Sequence, residues 1–206
     1  DACVYDRLFL TGRIAARRDV LETLDVDALA RQAWASAGYG VDAVGYAWGP
    51  LPENLRIETA FCWGEFEPGE RELRHLSDDQ AVCVGYGNRL TETGHLPPAH
   101  WLARRIGHEL FRLRREKGAG QVGPDAKVVV RIERKGRSWQ PRHVSISLNH
   151  HAGSDWILLR EIAEEAVECA CAGKYLPNLE LNGAGMFVSG GPNGDNGLSG
   201  KKLVVD

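Results

Sequence analysis

A glycine-rich bend near the end of the chain restricts the fold more than any other segment. Between Asn182 and Asp206 glycine stands at 183, 185, 190, 191, 194, 197 and 200 of a 206-residue chain. Glycine adopts positive φ at no steric cost and weakens helix and strand interiors, so this stretch is poorly suited to continue either element. Two short apolar runs frame it, Met186-Phe187-Val188 and Leu203-Val204-Val205. It therefore reads as a hairpin-like loop feeding a strand. A linker would favour serine and lack an apolar frame. Asp195 lies within the bend and Lys201-Lys202 at its exit. Successive N–H groups turned inward form a concave anion site, and two lysines add the charge a polyphosphate needs.

Neither common nucleotide-loop pattern fits. A P-loop places about four residues between its first glycine and its Gly-Lys, then Ser or Thr. Gly194 to Gly200 encloses five residues, and Lys202 stands where the hydroxyl belongs. The dinucleotide pattern requires a helix after its glycines, and no helix-forming run follows here.

Composition narrows the function classes. A formal charge of -3 argues against a general nucleic-acid binder. No apolar run approaches the ~20 residues of a membrane-spanning helix. With 43% apolar residues the chain can bury a core in one or two domains. Its five cysteines (Cys3, Cys62, Cys83, Cys169, Cys171) are scattered and odd in number. That pattern suits reduced thiols, so a cytoplasmic location is expected, and no signal peptide is visible. Both ends fall inside strand-like runs, and an incomplete chain is expected.

The coarse order of elements is strand, strand, helix, strand, seen twice. Residues 3–10 read as a strand, with a second short one after Thr11-Gly12. Val26, Leu29, Ala30, Ala33 and Trp34 recur at helical spacing, with Asp25 as N-cap and Gly38 as stop. Pro50, Pro52 and Asn54 mark a loop before a strand over 55–63. The charged stretch 64–76 is a candidate mobile loop and domain boundary, and a second unit begins near Ser77. Pro97-Pro98 opens a helix with an apolar stripe at Leu102, Ile106, Leu110 and Leu113. Its other face, with Arg104, Arg105, Arg112, Arg114 and Arg115, reads as solvated. Strands over 127–133 and 143–148 are broken by Lys135-Gly136. A helix capped by Asp155 turns Leu159, Ile162, Ala163, Ala166, Val167 and Ala170 inward. The expected fold is α+β: repeated α/β units, each a mixed sheet with helices on one face. Adjacent His150 and His151 project oppositely in a strand, so no metal role is assigned to them.

The residues from Gly185 to Asp206 resemble the glycine-rich signature of S-adenosylmethionine synthetases (methionine adenosyltransferases). The family reads roughly G-R-F-V-x-G-G-P-x-G-D-x-G-L-T-G-R-K-I-x-V-D. Met186 and Lys201 stand where the family has Arg, while Ser199 and Leu203 are mild changes. Gly123-Pro124-Asp125-Ala126-Lys127 resembles R-P-D-A-K, with Gly123 replacing Arg. Asp79-Gln80 with Gly85-Tyr86 resembles G-D-Q-G-x-M-x-G-Y, and Ser145 to His150 resembles a strand ending in S-x-Q-H. Thr11-Gly12, Asp19-Val20 and Gly38-Tyr39 are similar to T-G, G-E-I and I-G-Y in the same order.

The resemblance implies three related units: residues 1–66 as part of the first, 77–187 as the central one, and 188–206 as the loop and first strand of the third. It implies transfer of the adenosyl group of ATP to L-methionine, with release of phosphate and diphosphate. A thioether sulfur needs no general base, so alignment and stabilisation of the leaving triphosphate dominate. By resemblance Asp125, Ala126, Lys127, Met186, Phe187, Asp195, Lys201 and Lys202 bind ATP, with Phe187 packing on the adenine. Lys127, Asp195 and Lys202 would be catalytic, and Asp19, Asp79 and Asp195 would hold methionine. Apart from the resemblance, an acid and a base two apart entering a strand share one face. Mg2+ is implied, with no ligands identifiable in this chain. K+ is implied too, but Val4 stands at the position of the family's potassium-site glutamate. The methionine-contacting glutamine of the family's mobile loop has no clear equivalent in 64–76. A homodimer or dimer of dimers is expected, with no nucleic-acid or membrane partner. The alternative is a non-catalytic or substrate-altered paralogue that binds nucleotide or regulates an active subunit; a polyphosphate hydrolase is a third reading.

Overall fold

The computed structural model describes residues 2–67, 84–136, 138–194 and the backbone of 197–198. The fold is α+β and is carried by two mixed sheets. In the first, β1 (Ala2–Val4) and β2 (Arg7–Ala15) form an antiparallel hairpin. Helices α1 (Arg18–Leu21) and α2 (Val26–Ser36) follow, then a ribbon of β3 (Gly40–Val41) and β4 (Ala47–Trp48). Strand β5 (Arg56–Gly64) returns parallel to β2. Next come α3 (Pro98–Lys117) and a second hairpin of β6 (Val122–Lys135) and β7 (Ser138–His150). Helix α4 (Trp156–Cys171) crosses over, and β8 (Asn178–Leu181) returns parallel to β7. The orders β5-β2-β1 and β8-β7-β6 are one topology used twice. Strand β9 (Gly197–Leu198) adds antiparallel to β1.

Strand limits differ from the apolar runs, for local backbone reasons. The first hairpin turns at Tyr5-Asp6, with Tyr5 at φ 53°, and Thr11-Gly12 lies inside β2. Gly12 takes φ 147°, which glycine allows, so this pair does not break the strand. Strands β6 and β7 outrun their valines because pairing closes directly across Gly136, at φ 60°, and a register shift between Val122 and Ala126 carries the ladder to His150.

The buried core belongs to the second unit. The α3 stripe (Leu102, Ile106, Leu110, Leu113) and the α4 stripe (Leu159, Ile162, Ala163, Ala166, Val167, Ala170) pack with Val122, Val144, Ile146 and Leu148 of the hairpin. Spacings of three and four residues place each stripe on one helix face. Both expected caps form: the Asp25 side chain accepts from Ala28 N–H, and that of Asp155 from Ile157 N–H. Helix α2 has no fully buried residue, and between it and β2 runs an open apolar groove with Leu8, Leu10, Leu29 and Trp34 along its walls.

Two polar devices tie the β3–β4 ribbon to the second unit. Arg114 is not on a solvated face. Its half-buried guanidinium donates to Val122 O at 3.1 Å and Gly38 O at 2.8 Å. The carboxylate of Asp42 accepts from Val44 N–H, Tyr46 N–H, Trp48 Nε1–H and, across the junction, Gly120 N–H. Burial pushes the Asp42 pKa up, but these donors outweigh it and hold it below the usual carboxylate value. A depressed folded-state pKa contributes stability that is complete above the ordinary carboxylate range, near about pH 4, and is lost as pH falls through the folded value. Asp42→Ala is expected to cost about 2 kcal/mol in denaturant unfolding at neutral pH. It should also flatten the fall of Tm with acidification seen in the parent.

Candidate functional site

Strand β7 extends past the reach of its parallel neighbour, and a glycine-rich segment fills the gap. Strand β8 ends at Leu181 opposite Ile146. Asn182 continues the ladder with its side chain. Its N–H donates to Ile146 O at 2.8 Å, its Oδ1 accepts from Leu148 N–H at 2.7 Å, and its Nδ2 donates to Leu148 O at 3.1 Å. Asn182 adopts φ 48°, which turns the chain outward. The chain comes back at Phe187. His150 N–H donates to Phe187 O at 3.0 Å, and Phe187 N–H donates to His150 Nε2 at 3.1 Å. Asn149 Nδ2 donates to Phe187 O at 2.9 Å and Val188 O at 3.2 Å. Asn149 and His150 are 3% and 1% exposed, so the segment is held by buried polar groups with every partner satisfied.

The next turn docks on β6. Gly191 N–H donates to Asp125 Oδ2 at 2.8 Å. A Cβ on Gly190 would lie 2.8 Å from the Asn149 amide and 3.1 Å from Asp125 Cβ. At Gly191, with φ 60°, a Cβ would lie 2.1 Å from the Tyr39 hydroxyl. Glycine is needed here because the backbone lies against protein side chains, a reason the sequence did not disclose. The Tyr39 phenol is pushed up to about 12, first by burial and then by the Asp125 carboxylate, so it stays neutral beside that charge. Its ring stacks on Trp34 of α2 at 4.8 Å. Residues from both units therefore meet at this turn.

Gly123 is fitted in the same way. A Cβ there would come within 1.8 Å of Asn149 Oδ1 and 2.7 Å of Trp48. The Asn149 amide occupies the space in which a side chain at 123 would begin, so glycine at 123 and the Asn149 amide are matched.

Of the expected site residues, Asp125 holds the turn at Gly191, Phe187 is held in the same docked segment by Asn149 and His150, and Ala126 follows Asp125 in β6. Lys127 is exposed opposite Ser147, with no ion pair among the described residues. Met186 is 65% exposed, beside the anchored Phe187. Asp19 lies on α1, paired with Arg17 at 2.9 Å, and no described contact joins it to the Asp125–Gly191 cluster. Asp79, Asp195, Lys201 and Lys202, and residues 68–76 of the charged stretch, lie outside the described residues. Asn149, His150 and Tyr39 had no assigned role. For His150 the available signal was a polar residue continuing the inward positions Val144, Ile146 and Leu148. Among the described residues no group of three or more His, Cys, Asp or Glu side chains could hold a metal ion. Nor is any described helix long and apolar enough to cross a membrane.

The topology and the docked glycine turn define a mixed α+β protein built from repeated hairpin–helix–strand units. No family model matches the chain. Curated relatives are S-adenosylmethionine synthases. That of Hyphomonas neptunium is 29% identical over 99% of this chain and 53% of its own length. That of Gluconacetobacter diazotrophicus is 30% identical over 98% and 52%. That of Brachyspira hyodysenteriae is 32% identical over 69% and 37%. The chain belongs to the S-adenosylmethionine synthase family as a divergent member, and it spans about half the length of the first two relatives.

Gly123→Ala tests the fit at β6. It is expected to cost about 1–3 kcal/mol by overpacking. It should also raise amide exchange at His150 and Gly191, whose N–H groups bond Phe187 O and Asp125 beside the Asn149 amide that must move.

Proposed function

We propose that this chain takes part in ATP-dependent methionine adenosyl transfer, forming S-adenosylmethionine from ATP, L-methionine and water with release of phosphate and diphosphate. The observation that carries the reading is the Asp125–Gly191 hydrogen bond. It joins the two segments whose resemblance to the family is most specific, 66 positions apart in sequence. The names of the relatives support the same reaction class.

In this reading the methionine sulfur attacks C5′ of ATP, the S–C5′ bond forms, and the C5′–O bond breaks with its electron pair on the triphosphate. Water then cleaves the triphosphate to phosphate and diphosphate. Phe187, with its peptide fixed, packs on the adenine. Lys127, Lys201 and Lys202 stabilise the phosphates, and Asp125 orders the turn while Ala126 lines it. Met186 borders the adenine without supplying the cation that arginine would. Asp195 contacts both substrates, and Asp19 and Asp79 hold methionine. The resemblance implies Mg2+ and K+. The described residues offer no cluster for either, and Val4 takes the place of the potassium-site glutamate, so no step is assigned to an ion. A homodimer or dimer of dimers in the cytoplasm completes the proposal.

A second reading is favoured by exposed Met186 and by Val4. Here the chain is a paralogue that binds nucleotide and modulates an active subunit. Incubation with ATP, methionine and magnesium should yield S-adenosylmethionine, with Lys127→Ala lowering turnover about a hundredfold. Folded protein that makes no product, yet changes the kinetics of an active S-adenosylmethionine synthase on titration, would decide for the second reading.

A further inference from the structure

We propose that His150 is a positioning residue for the nucleotide site, holding the Phe187 peptide through a neutral ring protonated at Nδ1. The inference rests on the proposed role of Phe187 at the adenine. The ring has two partners of opposite kind. His151 O lies 2.9 Å from Nδ1 and can only accept, so Nδ1 carries the proton. Phe187 N–H points at Nε2 from 3.1 Å and can only donate, so Nε2 offers its lone pair. Only the neutral Nδ1–H tautomer satisfies both. Protonation at Nε2 would set two donors facing each other.

The imidazole is thereby a substitute for a strand partner. In a parallel or antiparallel ladder, backbone groups alone supply the donors and acceptors. Here the His150 N–H takes the Phe187 carbonyl and the His150 ring takes the Phe187 N–H. Asn149 Nδ2 shares that carbonyl. Both polar groups of one peptide residue are fixed, while its neighbours Met186 and Val188 stay 65% and 43% exposed. The ring itself is held by Trp156, the first residue of α4, at 5.2 Å between centroids and a 59° tilt. The second unit's core helix thus sets the ring, the ring sets Phe187, and Phe187 presents the loop. Adjacent histidines at a strand end suggest a metal site, but here one ring has both nitrogens committed to backbone groups.

The test combines a spectroscopic signature with a rescue. In protein labelled with 15N-histidine, one ring, assigned by its loss in His150→Gln, should show protonated Nδ1 and bare Nε2. In calorimetry with a nonhydrolysable ATP analogue, His150→Leu should weaken binding about tenfold, the equivalent of one lost hydrogen bond. His150→Gln, whose Oε1 can reach the position of Nε2, should recover most of that loss. A native ring protonated at Nε2 would overturn the proposal, as would a Gln variant no better than Leu when both keep the parent's Tm. Parent protein that gives no heat with the analogue would overturn the nucleotide reading instead, and the ring spectrum would then decide the clamp alone.

Discussion

The structure depends on how the free end of β7 is satisfied. Its parallel neighbour β8 is only four residues long, yet β7 continues through Leu148, Asn149 and His150 into a buried position. Backbone N–H and C=O groups left without partners there would each cost about as much as a lost hydrogen bond. The chain meets that requirement with the Asn182 side chain, then with the Phe187 peptide. The position of the glycine-rich segment follows from this completion. Once Phe187 is fixed, the turn at Gly190-Gly191 is delivered to Asp125 and Tyr39.

Much of the fold was legible in the sequence because it is written in local terms. The stripes of α3 and α4, the caps at Asp25 and Asp155 and the succession of strands and helices all depend on residues a few positions apart. Strand lengths were less legible. The ladder through Gly136 and across the β6 register shift depends on a partner strand, so polar residues outside the valine runs join it. Arg114 was misplaced for the same reason, since its acceptors at Gly38 and Val122 belong to other elements. At the site, Asp125 and Phe187 were singled out, but Asn149 and His150 were not. Their bonds to Phe187 span 38 and 37 positions, and no pattern within one segment encodes them.

In the glycine-rich segment, glycine is required for a reason that local sequence does not carry. Its glycines were read as freeing N–H groups for a ligand. At Gly191 the N–H is already given to Asp125, and at Gly123, Gly190 and Gly191 the missing Cβ admits Asn149, Asp125 and Tyr39. On the proposed nucleotide-binding reading, a segment preformed this way would lose less entropy when a ligand arrives. Divergence from the family is also uneven. Glycine at 123 is matched by the Asn149 amide, whereas Met186, where the resemblance implies arginine, is an exposed apolar side chain.

The protein latches this segment by its own hydrogen bonds, without a ligand. Amide hydrogen exchange on the ligand-free chain tests it most directly. The Phe187 and Gly191 amides should exchange as slowly as those of Ile146 and Leu148 in β7. Exchange of both at the rate of an unstructured chain, with β7 still protected, would contradict it.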